Sequence, residues 1–158
     1  MKAGHSPEVR IIALTPELAQ AALGREFVAA AARDAGFPDE RVFDIMVACS
    51  EAIANAIEHS AIKGEVEVKA RVRPDGLEVH IEGPCQFQTP HRTDEGRHRG
   101  LGIPLMAQLA DHLAICTGPR GGTLVSLTFY HPGALRQTDP LPPSCYSKPA
   151  SRSRRWRR

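Results

Sequence analysis

The chain has 158 residues, 42% of them hydrophobic and 24% charged, with a formal net charge of +2. These are values of a single ordinary globular domain, and they exclude a low-complexity, collagenous or membrane-embedded chain. The charge is uneven: from His131 onward seven basic residues face Asp139 alone, giving that segment +6 and leaving −4 on residues 1–130. A mildly acidic body argues against direct nucleic-acid contact. The four cysteines, Cys49, Cys85, Cys116 and Cys145, form no C-x-x-C pair. Neither a zinc site nor a disulfide framework is therefore expected. The opening "MKAGHSPEVR" has no apolar core of a leader, and no run reaches the length of a membrane span. The expectation is a reduced, soluble, cytoplasmic protein.

"VRIIAL" (Val9–Leu14) is a short apolar run that reads as a strand. "TPEL" follows, with Thr15 as N-cap and Pro16 at the first position of a helix that Gly36 stops. Pro38 and Asp39 open a second helix running to about His59. Val66, Val68, Ala70 and Val72 then alternate with charged residues, "PDG" turns the chain, and Leu77, Val79 and Ile81 resume the alternation. That is a hairpin with one buried and one wet face. The long Pro- and charge-rich stretch from Gly83 to Gly100 reads as a lid, since loops of that length in compact domains are usually functional. "LGIPLMAQLADHL" is a helix that tolerates Pro104 only because it lies in the first turn. "LAICT", "GPRGG" and "TLVSLTFY" make a last hairpin, with Val125, Leu127 and Phe129 on one face. The order predicts an α+β two-layer sandwich, helices on one face of a mixed or antiparallel sheet, over residues 1–131. Residues 132–158, with five prolines and "RSRRWRR", form an aperiodic tail expected to be disordered. Its arginines and Trp156 suit contact with an acidic surface, and equally a solubilising extension.

The second helix carries "EAIANAIEHS" (Glu51–Ser60), in which a carboxylate, a carboxamide and an imidazole recur every four residues. At about 100° per residue, Asn55 lies ~40° and His59 ~80° from Glu51. Val42, Ile45, Cys49, Ile53 and Ala56 cluster around the opposite pole, at roughly 120–200°. Ala48, on the polar side, is small enough to leave room for something to lie across it. Two readings fit this face, a solvated one and a ligand-holding one. Downstream, "RGLGIPLM" (Arg99–Met106) sets Gly100 and Gly102 directly before a helix, where backbone N–H groups can approach an anion. A lone G-x-G also serves turn geometry.

Together, "SEAIANAIEHS", "RGLGIPLM" and "GGTLVSL" resemble, in order and spacing, the boxes of the GHKL (Bergerat-fold) ATPases, specifically the bacterial anti-sigma-factor serine kinases of the sporulation and stress-response type. The likeness covers roughly residues 9–130. It implies a kinase that uses ATP and Mg²⁺, with Glu51 as general base and Asn55 as the magnesium ligand. Gly83, Arg99, Gly100, Leu101, Gly102 and Thr123 would contact the nucleotide. It also implies a sigma factor that is bound and sequestered, and a STAS-type anti-anti-sigma antagonist phosphorylated on serine. A homodimer is the expected assembly.

The chemistry agrees with the resemblance. Mg²⁺ takes few protein oxygens and fills its shell with phosphate and water, so one carboxamide suffices. A carboxylate one turn earlier can accept the proton of an attacking hydroxyl. The middle box departs from the family's Asp-x-Gly-x-Gly: aligned on Gly83, Ile81 replaces the Asp that receives the adenine amino group, and Cys85 replaces the second glycine. His98 stands where a glycine is common. Glu82 is one residue late, which in a strand turns it to the opposite face unless a bulge intervenes. A second function therefore stays open, a binding-only partner-switching regulator with a degenerate nucleotide site.

Overall fold

The computed structural model describes residues 8–60, 64–85, 102–134 and 146–148. Alternation builds the sheet. In β2 (Val66–Arg73) Val66, Val68 and Ala70 are buried while Glu67, Lys69 and Arg71 are not, and in β3 (Gly76–Gly83) Leu77, Val79 and Ile81 take the same face. With β1 (Glu8–Leu14), β4 (His112–Thr117), β5 (Thr123–Tyr130) and β6 (Tyr146–Lys148), they form one sheet in the order β1-β2-β3-β5-β4-β6. Every pairing is antiparallel, which decides between the mixed and antiparallel expectations. β5 enters between β3 and β4, so its apolar residues, Leu127 and Phe129, lie at the centre of the core.

The helices α1 (Gln20–Asp34), α2 (Asp39–Ser60) and α3 (Gly102–Leu109) cover the apolar face of the sheet. The core is aliphatic apart from Phe129 and Phe37, as the low aromatic content requires. α2 is central, with α1 and α3 both packed on it. Gly24 allows α1 to approach closely, since a methyl there would lie 2.8 Å from Leu14 Cδ1 and 3.0 Å from Ile53 Cδ1. That packing offsets the ~1 kcal/mol that a mid-helix glycine costs relative to alanine. Gly36, at φ 86°, ends α1 as expected. Among the described residues no helix is long and apolar enough to cross a membrane.

Five readings are corrected. Thr15 and Pro16 do not start α1: Thr15 O accepts the Glu17 N–H at 2.8 Å, making a turn, and the helix begins at Gln20 with no side-chain cap. The third helix stops at Leu109, because the Asp111 N–H bonds Thr128 O and the chain enters β4. Ala48 does not leave open space; it is fully buried, because α3 packs over that side of α2. Three residues of the aperiodic tail, Tyr146–Lys148, pair with Leu113–Ile115 as an edge strand. Cys116 is disulfide-bonded, against the expectation of reduced thiols, while Cys49 and Cys85 are free. Spacing in sequence does not report which cysteines a fold brings within bridging distance.

Candidate functional site

α2 presents Glu51 and Asn55, half-buried, one turn apart on the flank where α3 begins. A methyl built on Gly102, the first residue of α3, would lie 3.1 Å from Glu51 Oε1 and 3.2 Å from Asn55 Nδ2. The backbone at the positive end of α3 therefore sits directly against a carboxylate and a carboxamide. Among the described residues neither side chain is engaged in a side-chain hydrogen bond or ion pair.

What holds α3 in place is Arg41. Its guanidinium donates to Leu109 O at 2.8 Å and to Asp111 Oδ2 at 2.9 Å, and lies 5.5 Å from the Phe129 ring centroid. The same Asp111 oxygen accepts the Tyr130 N–H at 2.8 Å. One cation thus ties α2, the end of α3 and β5 together, and sequence patterning gave no sign of it. A charged residue at a helix start reads as solvated until its partners are known.

A second group adjoins along α2. Gly83, ending β3, packs on Ala56 and Ser60, where a methyl would meet Ala56 Cβ and Ser60 Oγ at 3.4 Å each. Gly122 lies across it so tightly that a methyl would fall 1.9 Å from Gly83 O. Thr123, in register with Gly83, donates its hydroxyl to Cys85 O at 2.6 Å. The Cys85 thiol donates to His59 O, and the His59 side chain is exposed. The structure thus brings Glu51, Asn55 and Gly102 together, and beside them Gly83 and Thr123. Arg99, Gly100, Leu101 and the lid after Cys85 lie outside the described residues.

The middle box is apolar where the resemblance expects a carboxylate. Ile81 is 1% exposed, between Val68 and Val125 in the sheet. Pairing of β3 runs unbroken on both sides through Glu82, so no bulge brings Glu82 round. It points to the other face, where it accepts from Arg120 at 3.1 Å and lies under Gly118.

Chemically, a carboxamide and a carboxylate facing a helix start suit a hydrated dication with its anionic partner. Among the described residues no group of three or more His, Cys, Asp and Glu side chains could hold a metal. A cation at Asn55 would draw most of its ligands from phosphate and water, as Mg²⁺ does.

An antiparallel sheet covered by three helices, with a Glu/Asn helix facing a glycine-started one, defines the class: the chain belongs to the histidine kinase-like ATPase domain family, whose pattern matches residues 14–129. More particularly, it is similar to serine-protein kinases named RsbW. The one from Bacillus velezensis is 30% identical over 113 residues, covering 60% of this chain and 68% of the relative. The one from Bacillus pumilus is 29% identical over 111 residues, 59% and 67% respectively. In fold, the chain matches the crystal structure of the RsbU and RsbW domains of Rv1364c from Mycobacterium tuberculosis, with a TM-score of 0.61 at 21% identity. That match covers 90% of this chain and 34% of that one, so this chain spans about a third of its length. The resemblance and the sandwich fold expected from the sequence are borne out.

Proposed function

We propose that the protein is an anti-sigma factor with serine kinase activity, which sequesters a sigma factor and uses Mg-ATP to phosphorylate a serine of a STAS-type antagonist. The observation that carries this reading is the convergence of Glu51 and Asn55 on Gly102. A side chain at residue 102 would fill the space that Glu51 and Asn55 line, and the RsbW relatives are named as serine-protein kinases.

In this reading Asn55 holds the cation through its carboxamide oxygen, which neutralises phosphate charge when bound. Glu51 takes the proton of the attacking serine hydroxyl. The α3 start, with Gly100, Leu101 and Arg99 before it, cradles phosphate oxygens, and Gly83 and Thr123 close the strand side. Anions near Glu51 would repel one another without the cation, which makes binding magnesium-dependent. The setting is cytoplasmic and the assembly a homodimer.

A specific observation favours the second reading, a binding-only regulator: the buried Ile81 and the diverted Glu82 leave adenine without its carboxylate acceptor. Transfer of labelled γ-phosphate to STAS-type proteins of the same organism separates the two. The kinase reading expects phosphoserine, reduced about 10²–10⁴-fold in Glu51→Ala, the range of a lost general base. Transfer that is absent from every such protein, or undiminished in Glu51→Ala, refutes it in favour of the regulator.

A further inference from the structure

We propose that Cys116 and Cys145 form a thiol–disulfide switch that fastens the basic C-terminal segment to the β4 edge of the sheet. The proposal stands apart from the nucleotide reading, since it uses none of that site's residues.

The chain has four cysteines. Cys49 and Cys85 are free, and Cys116 is disulfide-bonded. That leaves Cys145, which lies outside the described residues, as its partner within the chain. The strand ladder selects the same residue independently. β6 pairs antiparallel with β4, Lys148 with Leu113, Ser147 with Ala114 and Tyr146 with Ile115. One step further, the position opposite Cys116 belongs to residue 145. Facing residues of antiparallel strands have Cα atoms about 4.5–5.5 Å apart, inside the range of about 4.4–6.8 Å that a disulfide spans.

β6 needs such a fastening. It has three residues, and Pro143 and Pro149 bracket it, so the ladder has little room to grow. A pairing this short is marginal by itself. The bond closes a covalent ring of roughly thirty residues that contains all of β5. Leu113 and Ile115 belong to the core, so alternation sets Cys116 on the face turned away from the helices. It is half-buried there, within reach of a small thiol, whereas Cys49 is fully buried. Beyond Lys148 follow five arginines. Opening the bond therefore frees the β4 edge and a strongly basic segment together.

Closing is exchange with glutathione disulfide. One cysteine thiolate attacks a glutathione sulfur and expels glutathione thiolate, and the second cysteine displaces the other glutathione from the mixed disulfide. The S–S bond passes to the protein, and two glutathione thiols leave with the two protons. Opening is the reverse.

The test is to equilibrate the native full chain in buffers of stepped glutathione-to-glutathione-disulfide ratio, with Cys145→Ser beside it. Peptide mapping of the oxidised protein should find Cys116 linked to Cys145. Reduction should proceed with the far-ultraviolet spectrum retained, raise hydrogen exchange of the β6 amides at least about tenfold, and lower Tm by about 5–12 °C. Cys145→Ser should match reduced wild type and ignore the glutathione ratio. Cys116 linked elsewhere, or to nothing, overturns the pairing. A bond that yields only after unfolding, or reduction that leaves β6 exchange unchanged, overturns the switch.

Discussion

Replacing Gly102 with alanine adds one methyl group at the meeting point of α2 and α3. The backbone accepts it, since Gly102 is not among the positive-φ glycines. Helix propensity favours it by up to ~1 kcal/mol. Against this, the methyl would lie 3.1 Å from Glu51 Oε1 and 3.2 Å from Asn55 Nδ2, so both side chains must yield by a few tenths of an ångström. Side chains forced off their rotamers cost about 0.5–1.5 kcal/mol each. The opposing terms leave stability within about 1–2 kcal/mol of wild type, a shift of only a few degrees in Tm for a chain of this size. The site cannot absorb the change so easily. A hydrogen bond or ligand contact to a charged group is worth ~1.5–3 kcal/mol, so displacing Asn55 lowers magnesium-dependent nucleotide affinity about ten- to a hundredfold. The assay pairs calorimetric titration of MgATP, with and without EDTA, with thermal unfolding. An alanine variant that binds MgATP as wild type does, or that loses affinity only because it unfolds, refutes the assignment of Glu51, Asn55 and Gly102 to one site.

Arg41→Leu removes the tie between α2, Leu109 O and Asp111, and chemical denaturation should show a loss of about 1–3 kcal/mol, with weakened MgATP binding as α3 loosens. Glu78 is held at about 2 by the hydrogen bond from His80, with Arg73 adding to it against the effect of burial. Its pKa is depressed on folding, so its contribution is complete above the ordinary carboxylate value and disappears as the pH falls towards 2. Unfolding measured between pH 5 and 2 should be less pH-dependent in Glu78→Gln than in wild type. Burial pushes the Cys49 thiol well up, whereas Cys85 is only partly covered, so a thiol reagent on the native protein should label Cys85 and spare Cys49 until unfolding.

The parts legible in the sequence are those decided by local pattern. Both hairpins follow from strict alternation and from "PDG" and "GPRGG", and α2 from its apolar arc and the Pro38–Asp39 opening. Glu51 and Asn55 could be placed on one face by helix period alone. What escaped depends on partners distant in sequence. Ala48 lies on the polar side of the α2 wheel, yet α3 covers it. Thr15-Pro16 has the chemistry of a helix start, but a local turn takes the Glu17 N–H first. The roles of Arg41, and of Glu82 with Arg120, needed the sheet order, since their partners lie 68–70 and 38 residues away. Tyr146–Lys148 is too short to show a period, and only the open edge of β4 makes it a strand.

The place of β5 between β3 and β4 bears on how the chain is made. During synthesis β3 emerges with one flank unpaired, and its neighbour begins only at Thr123, forty residues beyond Gly83. At ribosomal speeds of about 5–20 residues per second, that flank stays open for roughly two to eight seconds, exposing an adhesive strand edge. Truncations that stop before Thr123 should therefore precipitate rather than yield a smaller working unit, and any nucleotide pocket at Gly83 can close only after most of the polypeptide has left the ribosome.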